Sequence, residues 1–366
     1  MSISIWQASL NEGQTTDTDG RTALRKKANV KFQAFKVSLA VTLPLFLTLA
    51  GCASDPSVPG SSTAPETRAT ENDSSSVRDN AFLIKSFDYT LGETPENIVV
   101  TDLSTEQFAA TLLNNTLWWS TGRTEQIVPG ESDAMTLGIA EDAEHRLYVA
   151  VRSQDPAVAG IWRRSVEEKW ERYVPVQTTV GLNGITFGDD GTLYAADSVN
   201  GRILALQPGG SSFAVWLDDP ALKPTSSEDP VGASGVNGLK VFGSYLYASN
   251  TAQGTLLRIP IWDDPRPIPE QVLSGRAVDD FALDKDGAIY LAVHPDNTVV
   301  RVDPAGQQTV LGTAEDGLDG PTAIAIAQSG VITTNLGFLG TRHHPSIIFI
   351  TAPVSEPTLP KPAITK

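Results

Sequence analysis

From Glu96 to the C-terminal region, apolar residues fall in short runs broken by Gly, Asp and Asn, with little helical spacing. The runs recur in frame. They begin ENIVVTDL at Glu96, LGIAEDAEHRLYVAV at Leu137, NGITFGDDGTLYAAD at Asn183, NGLKVFGSYLYASN at Asn237, DFALDKDGAIYLAV at Asp280 and TAIAIAQSGVITTN at Thr322. Successive frames step by 41, 46, 54, 43 and 42 residues, and Tyr148, Tyr194, Tyr247 and Tyr290 return at a near-constant offset in frames two to five. Each unit reads as an apolar strand, a Gly/Asp turn and a second apolar strand with a polar end. Units of this length holding several strands predict an all-β, six-bladed β-propeller with a central channel. AFLIKSFDYT (Ala81–Thr90) is expected to pair with SIIFITA (Ser346–Ala352) and close the ring, leaving no long open edge. The propeller is thus placed at residues 81–355, with 356–366 as a C-terminal tail.

Ahead of the repeats the pattern changes. Residues 1–51 read as a leader: Arg25, Lys26, Lys27, Lys31 and Lys36 precede the apolar run VSLAVTLPLFLTLAG. That run ends on Leu49-Ala50-Gly51-Cys52, which resembles the lipobox of bacterial lipoproteins. The resemblance implies cleavage before Cys52, acylation of its thiol and a protein exported to the bacterial cell envelope. An ordinary signal peptide or a short membrane anchor are the other readings. Residues 53–80 are rich in Ser, Thr, Pro, Asp and Asn, too polar to bury a core, and read as a disordered tether. Cys52 is the only cysteine, so no internal disulfide and no cysteine metal site can form. A net charge of −16 argues against nucleic acid as a partner.

In a radial repeat, residues of one phase form a ring around the axis. The phase opening the innermost strand holds Glu96, Leu137, Asn183, Asn237, Asp280 and Thr322. Four of these carry oxygen donors suited to a hard divalent cation such as Ca²⁺, and the lack of His and Cys disfavours zinc or copper. Taken singly, each Asn or Asp could instead cap a turn at a strand start. The second strands end at Arg152, Asp197, Asn250, His294 and Asn335, which are expected to surround the ring and contact a small-molecule substrate. His294 is the candidate imidazole base. Arg342-His343-His344-Pro345 reads as a loop.

PENIVV, GLNGITF…LYAADS, GVNGLKV…LYASN and DDFALDKDGAIYLAV resemble the senescence marker protein, gluconolactonase and luciferin-regenerating enzyme group. The resemblance spans roughly Phe82 to Thr351. It implies a six-bladed propeller with one metal, often calcium, in the channel. Carried over by phase and order, the implied ligands are Glu96, Asn237 and Asp280, with Asn183 as a further ligand or substrate contact. PENIVV stands where lactonases of the group tend to have an E-G-P-aromatic stretch, and the group includes members that are not lactonases.

Two functions follow. In the first, the protein is a metal-dependent hydrolase of a lactone or related ester. The ion polarises the carbonyl, and Asp280, with Asn183, acts on substrate and water; Asp279 is a weaker candidate. In the second, it is a lipid-anchored propeller that binds a ligand without turnover. No G-x-S-x-G, Walker-type glycine loop or H-E-x-x-H is present, and a serine-hydrolase reading has no support.

Overall fold

The computed structural model describes residues 80–364 apart from 132, 228, 230, 263–266, 338–341 and 358. In the separate unit Met1–Asp73 it describes only the pairing of Trp6–Gln7 with Gln33–Ala34. The leader, Cys52 and the tether as far as residue 79 otherwise lie outside the described residues.

Six antiparallel four-stranded sheets make the unit Ser74–Lys366. Among the described residues the only helical elements are three short 3₁₀ turns. The innermost strands, in blade order, are Pro95–Asp102, Met135–Glu141, Leu182–Phe187, Val236–Phe242, Val278–Leu283 and Pro321–Ile326. Each packs on the next, and the sixth returns to the first. Blade 6 is completed by the N-terminal strand Ala81–Ser86, which pairs antiparallel with Ser346–Thr351. The strand is shorter than AFLIKSFDYT because Asp88 caps a 3₁₀ turn at Tyr89–Leu91 that ends at Gly92 in the left-handed region.

Burial explains why the units close up. Six apolar clusters lie between consecutive blades, each drawing on two of them. Both faces of an inner strand are therefore covered, and Leu182–Phe187 is buried along its whole length. The recurrent tyrosines fill part of these seams, Tyr148 meeting Phe187 of the next blade edge-on at 5.0 Å between ring centroids.

The C-terminal tail is part of the fold. Glu356–Ile364 lies against the propeller, and Ile364 is buried in the seam between blades 2 and 3. Its composition, with Pro357, Pro360 and Pro362, gave no strand or helix signal, and its contacts are made chiefly by backbone carbonyls.

Candidate functional site

Every inner strand begins with a β-bulge. In blades 2 to 5 two residues lie between the last pair before the shift and the first pair after it: Leu137-Gly138, Asn183-Gly184, Asn237-Gly238 and Asp279-Asp280. Blades 1 and 6 shift at Glu96-Asn97 and Thr322-Ala323. Such a bulge re-aims a side chain. It also explains the two Asn-Gly pairs, which open strands and form no hairpin. A Cβ on Gly138 would come within 2.9 Å of Gly184 Cα, and one on Gly184 within 3.0 Å of Gly238 Cα. The glycines let neighbouring inner strands close on one another; Asn183 and Asn237 precede Gly184 and Gly238, whereas Leu137 precedes Gly138.

The ring is fixed by a repeated hydroxyl bridge. Ser249 Oγ accepts from Gly238 N (2.8 Å) in its own blade and donates to Asp279 O (2.6 Å) in the next. Thr111 does the same between Asn97 N (3.1 Å) and Leu137 O (2.7 Å). Thr334 does so between Ala323 N (3.0 Å) and Glu96 O (3.2 Å). Each bridge satisfies backbone groups that the bulge frees from the ladder.

The register of the fifth blade differs from the expectation. When bulges are matched, Asp279 shares the phase of Glu96, Asn183 and Asn237, and Asp280 occupies the position that glycine holds in blades 2 to 4. Asp279 accepts a hydrogen bond from Asn237 Nδ2 (2.6 Å) and lies 3.3 Å from His294 Nδ1. Asp280 points away from that level. Lys240 Nζ donates to both of its oxygens at 2.6 Å, Asn97 Nδ2 to Oδ2 at 3.1 Å, and Phe281 N to Oδ1 at 2.7 Å. The structure thus puts Asp280 in an internal ion pair and Asp279 in the site.

Glu96, Asn183, Asn237 and Asp279 come from blades 1, 3, 4 and 5 and are all buried. Burial and the nearby Asp279 charge push the Glu96 carboxyl well above its usual range, with Arg152 opposing. Asp279 is also raised by burial, against the lowering influence of His294. Among the described residues, the Glu96 carboxylate takes no ion pair. A buried carboxylate whose proton affinity is raised by burial and by a second buried carboxylate marks a site that a cation would relieve.

The expected rim divides in two. Arg152 and His294 reach the site. Arg152 is anchored by hydrogen bonds from Nε to Leu182 O and from NH2 to Gly181 O (2.9 Å). Burial lowers the proton affinity of its guanidinium, and the charges of Glu96, Asp197 and Asp279 oppose that effect. His294 is buried with Nδ1 3.3 Å from the Asp279 carboxylate, and neither ring nitrogen makes a well-aligned hydrogen bond. Asp197 and Asn250, expected to touch substrate, are fully buried brackets. Asp197 accepts from Gly181 N (2.8 Å), Asn200 Nδ2 (2.9 Å) and Arg202 Nε (2.8 Å). Asn250 Nδ2 donates to Ala221 O (2.8 Å) and Lys223 O (3.1 Å). Asn335 holds Asp319 N on its Oδ1 at 3.1 Å. In the Arg342–Pro345 loop, His343 stacks on Tyr89 with centroids 4.5 Å apart.

The donor set is the test of whether a metal fits. Among the described residues no three His, Cys, Asp or Glu side chains are gathered as a metal group. The buried donors are two carboxylates and two carboxamides, an all-oxygen set of the kind hard cations take, with water completing the shell. The residues fit a hard divalent cation on that chemistry.

No protein-family description matches the chain, and no characterised protein sequence does. Similarity of fold is found in solved structures. A calcium-binding protein, regucalcin from Agrobacterium tumefaciens, is 16% identical with a TM-score of 0.55, covering 78% of this chain and 97% of its own. A gluconolactonase from Xanthomonas campestris is 15% identical with a TM-score of 0.54, covering 75% of this chain and 89% of its own. A luciferin-regenerating enzyme is 12% identical with a TM-score of 0.55, covering 75% and 96%. The resemblance read from the repeats and these solved structures agree on one architecture, the six-bladed propeller.

Proposed function

We propose that the protein is a metal-dependent hydrolase of a lactone or related ester, held at the bacterial cell envelope by a lipid on Cys52. The observation that carries the reading is the shared bulge position of the buried Glu96, Asn183, Asn237 and Asp279, with Asn237 bonded to Asp279, Arg152 acting on Glu96 and Asp279, and His294 3.3 Å from Asp279. A scaffold has no need of two buried carboxylates brought together in a channel. Glu96, Asn237 and Asp279 would hold the ion, with Asn183 as fourth ligand or substrate contact. When bound, a divalent cation supplies Lewis-acid polarisation of an acyl oxygen.

The chain's own groups do the rest. Arg152 has Nε and one terminal nitrogen committed to backbone carbonyls, which fixes the guanidinium plane and leaves its remaining N–H groups for substrate oxygens. Asp279 lies beside Nδ1 of the His294 ring, at 3.3 Å. His294 takes the proton from the water that attacks the acyl carbon, and returns it to the oxygen that leaves when the ring C–O bond breaks. Asp280 has no part in this, because Lys240 and Asn97 occupy both of its oxygens.

The test is a panel of aldonolactones, alkyl lactones and aryl esters, assayed with added calcium, manganese or zinc and with chelator. Hydrolysis that chelator abolishes and metal restores is the expected outcome, with kcat/KM about a hundredfold or more lower in Asp279→Ala. Metal binding without turnover on any substrate would favour the ligand-binding propeller instead.

A further inference from the structure

Below the polar ring the channel changes character. The Asp280 carboxylate is met there by Asn97 from blade 1 and Lys240 from blade 4, so a polar layer drawn from three blades crosses the channel. Beneath it lies a cavity of about 150 Å³, lined from the inner strands by Ile98, Ile139, Ile185, Phe187, Leu283 and Ile324.

The C-terminal segment closes the far end. Pro357, Leu359, Pro360 and Lys361 line the cavity from below. The segment is latched at two blades that stand opposite each other in a ring of six. At blade 5, Tyr290 Oη donates to Pro353 O (2.6 Å), Ser355 N to Asp284 Oδ2 (3.3 Å) and Lys285 N to Glu356 O (2.8 Å). At blade 2, Ala143 N donates to Pro362 O (3.1 Å) and Arg146 NH2 to Ile364 O (2.7 Å), while Lys361 pairs with Glu141. The latches use one device twice: the Asp142–Tyr148 pair in blade 2 (2.9 Å) and the Asp284–Tyr290 pair in blade 5 (3.0 Å).

We infer that this lower chamber is a second binding site, separate from the polar ring, for a small neutral aromatic or branched aliphatic molecule. Size sets the first limit: an apolar cavity of about 150 Å³ is large enough for benzene, so the ligand has roughly six to nine heavy atoms. Charge sets the second. The three charged side chains that line the chamber are already paired, Lys240 with Asp280 and Lys361 with Glu141, so an ionised ligand would be buried without a partner. An ordered segment is latched across its mouth, and its apolar walls offer dispersion contacts. A ligand that fills the space makes those contacts and enters beneath the strap, independently of the metal ring.

The experiment titrates the full-length chain with benzene, indole and, as the charged control, benzoate, followed by calorimetry and ligand-observed NMR. Saturable one-to-one binding of benzene or indole, at least tenfold tighter than benzoate, is the result expected. Binding is lost when Ala325→Phe fills the chamber, and Ala282→Leu serves the same purpose if the first variant does not fold. Removal of residues 356–366 speeds ligand exchange. Absence of saturable binding, binding unchanged in the folded chamber-filling variant, or benzoate binding as tightly as benzene would overturn the inference. None of these readouts depends on metal or turnover, so the hydrolase reading can fail while this one stands.

Discussion

The two halves of one channel are built from the same six strands and are chemically opposite. At the bulges, Glu96, Asn183, Asn237 and Asp279 bring polar oxygens to one buried level. A few residues further along the same strands, Ile98, Ile185 and Leu283 line an apolar chamber. The change happens within a single residue step, between Asp279 and Asp280. Asp279 lies beside Glu96 and His294, and its neighbour is neutralised by Lys240. A buried carboxylate without a Lys or Arg ion pair is where a metal gains most. A carboxylate with one is structural, and it separates the site from the apolar space below.

The largest expected effect comes from breaking the partition. Lys240→Ala leaves Asp280 buried and unpaired, and chemical denaturation should show a loss of about 3–5 kcal/mol. Lys240→Ala combined with Asp280→Ala should lose much less than the sum of the two single changes. If Lys240→Ala is neutral, the layer is not the divide described here.

A smaller effect sharpens the lower half. Burial would raise the Asp284 carboxyl, but hydrogen bonds from Ala288 N, Tyr290 and Ser355 outweigh it and hold it below its ordinary value of 3.8. A carboxylate with a depressed folded value stabilises above its unfolded value, and that stability is lost as pH falls through the folded one. Burial pushes Tyr290 up to about 12, so its share persists below pH 10 and is lost as pH rises towards 12. The blade 5 latch should therefore hold between about pH 4 and pH 10. Thermal melts of Asp284→Asn should match the parent to within a few degrees at neutral pH and show a weaker decline below pH 4. An identical acid decline in both proteins would remove Asp284 from the latch.

Much of this was legible in the sequence, for reasons particular residues make plain. The frame spacing and the recurrent tyrosines gave six blades and the closing pair Ala81–Ser86 with Ser346–Thr351. Three ring positions, Glu96, Asn183 and Asn237, were read in phase. The fourth is ambiguous in the sequence, because in Asp279-Asp280 either acid can stand for the asparagine of Asn-Gly. Aligning the apolar residue that follows, Ile185, Leu239 and Phe281, would have selected Asp279. Asp197 and Asn250 were legible only as polar ends of strands, since whether such a group faces a ligand or a loop carbonyl depends on loops distant in sequence. The strap was hidden because its latches join backbone carbonyls to residues more than sixty positions away.

The most direct test of the central claim is calorimetric titration of Ca²⁺ into the chelator-treated protein, run side by side on Asp279→Asn and Asp280→Asn. The account predicts one site in the parent, its loss in Asp279→Asn and its retention in Asp280→Asn. No heat of binding in the parent with calcium, manganese or zinc, or loss in Asp280→Asn with retention in Asp279→Asn, would contradict it.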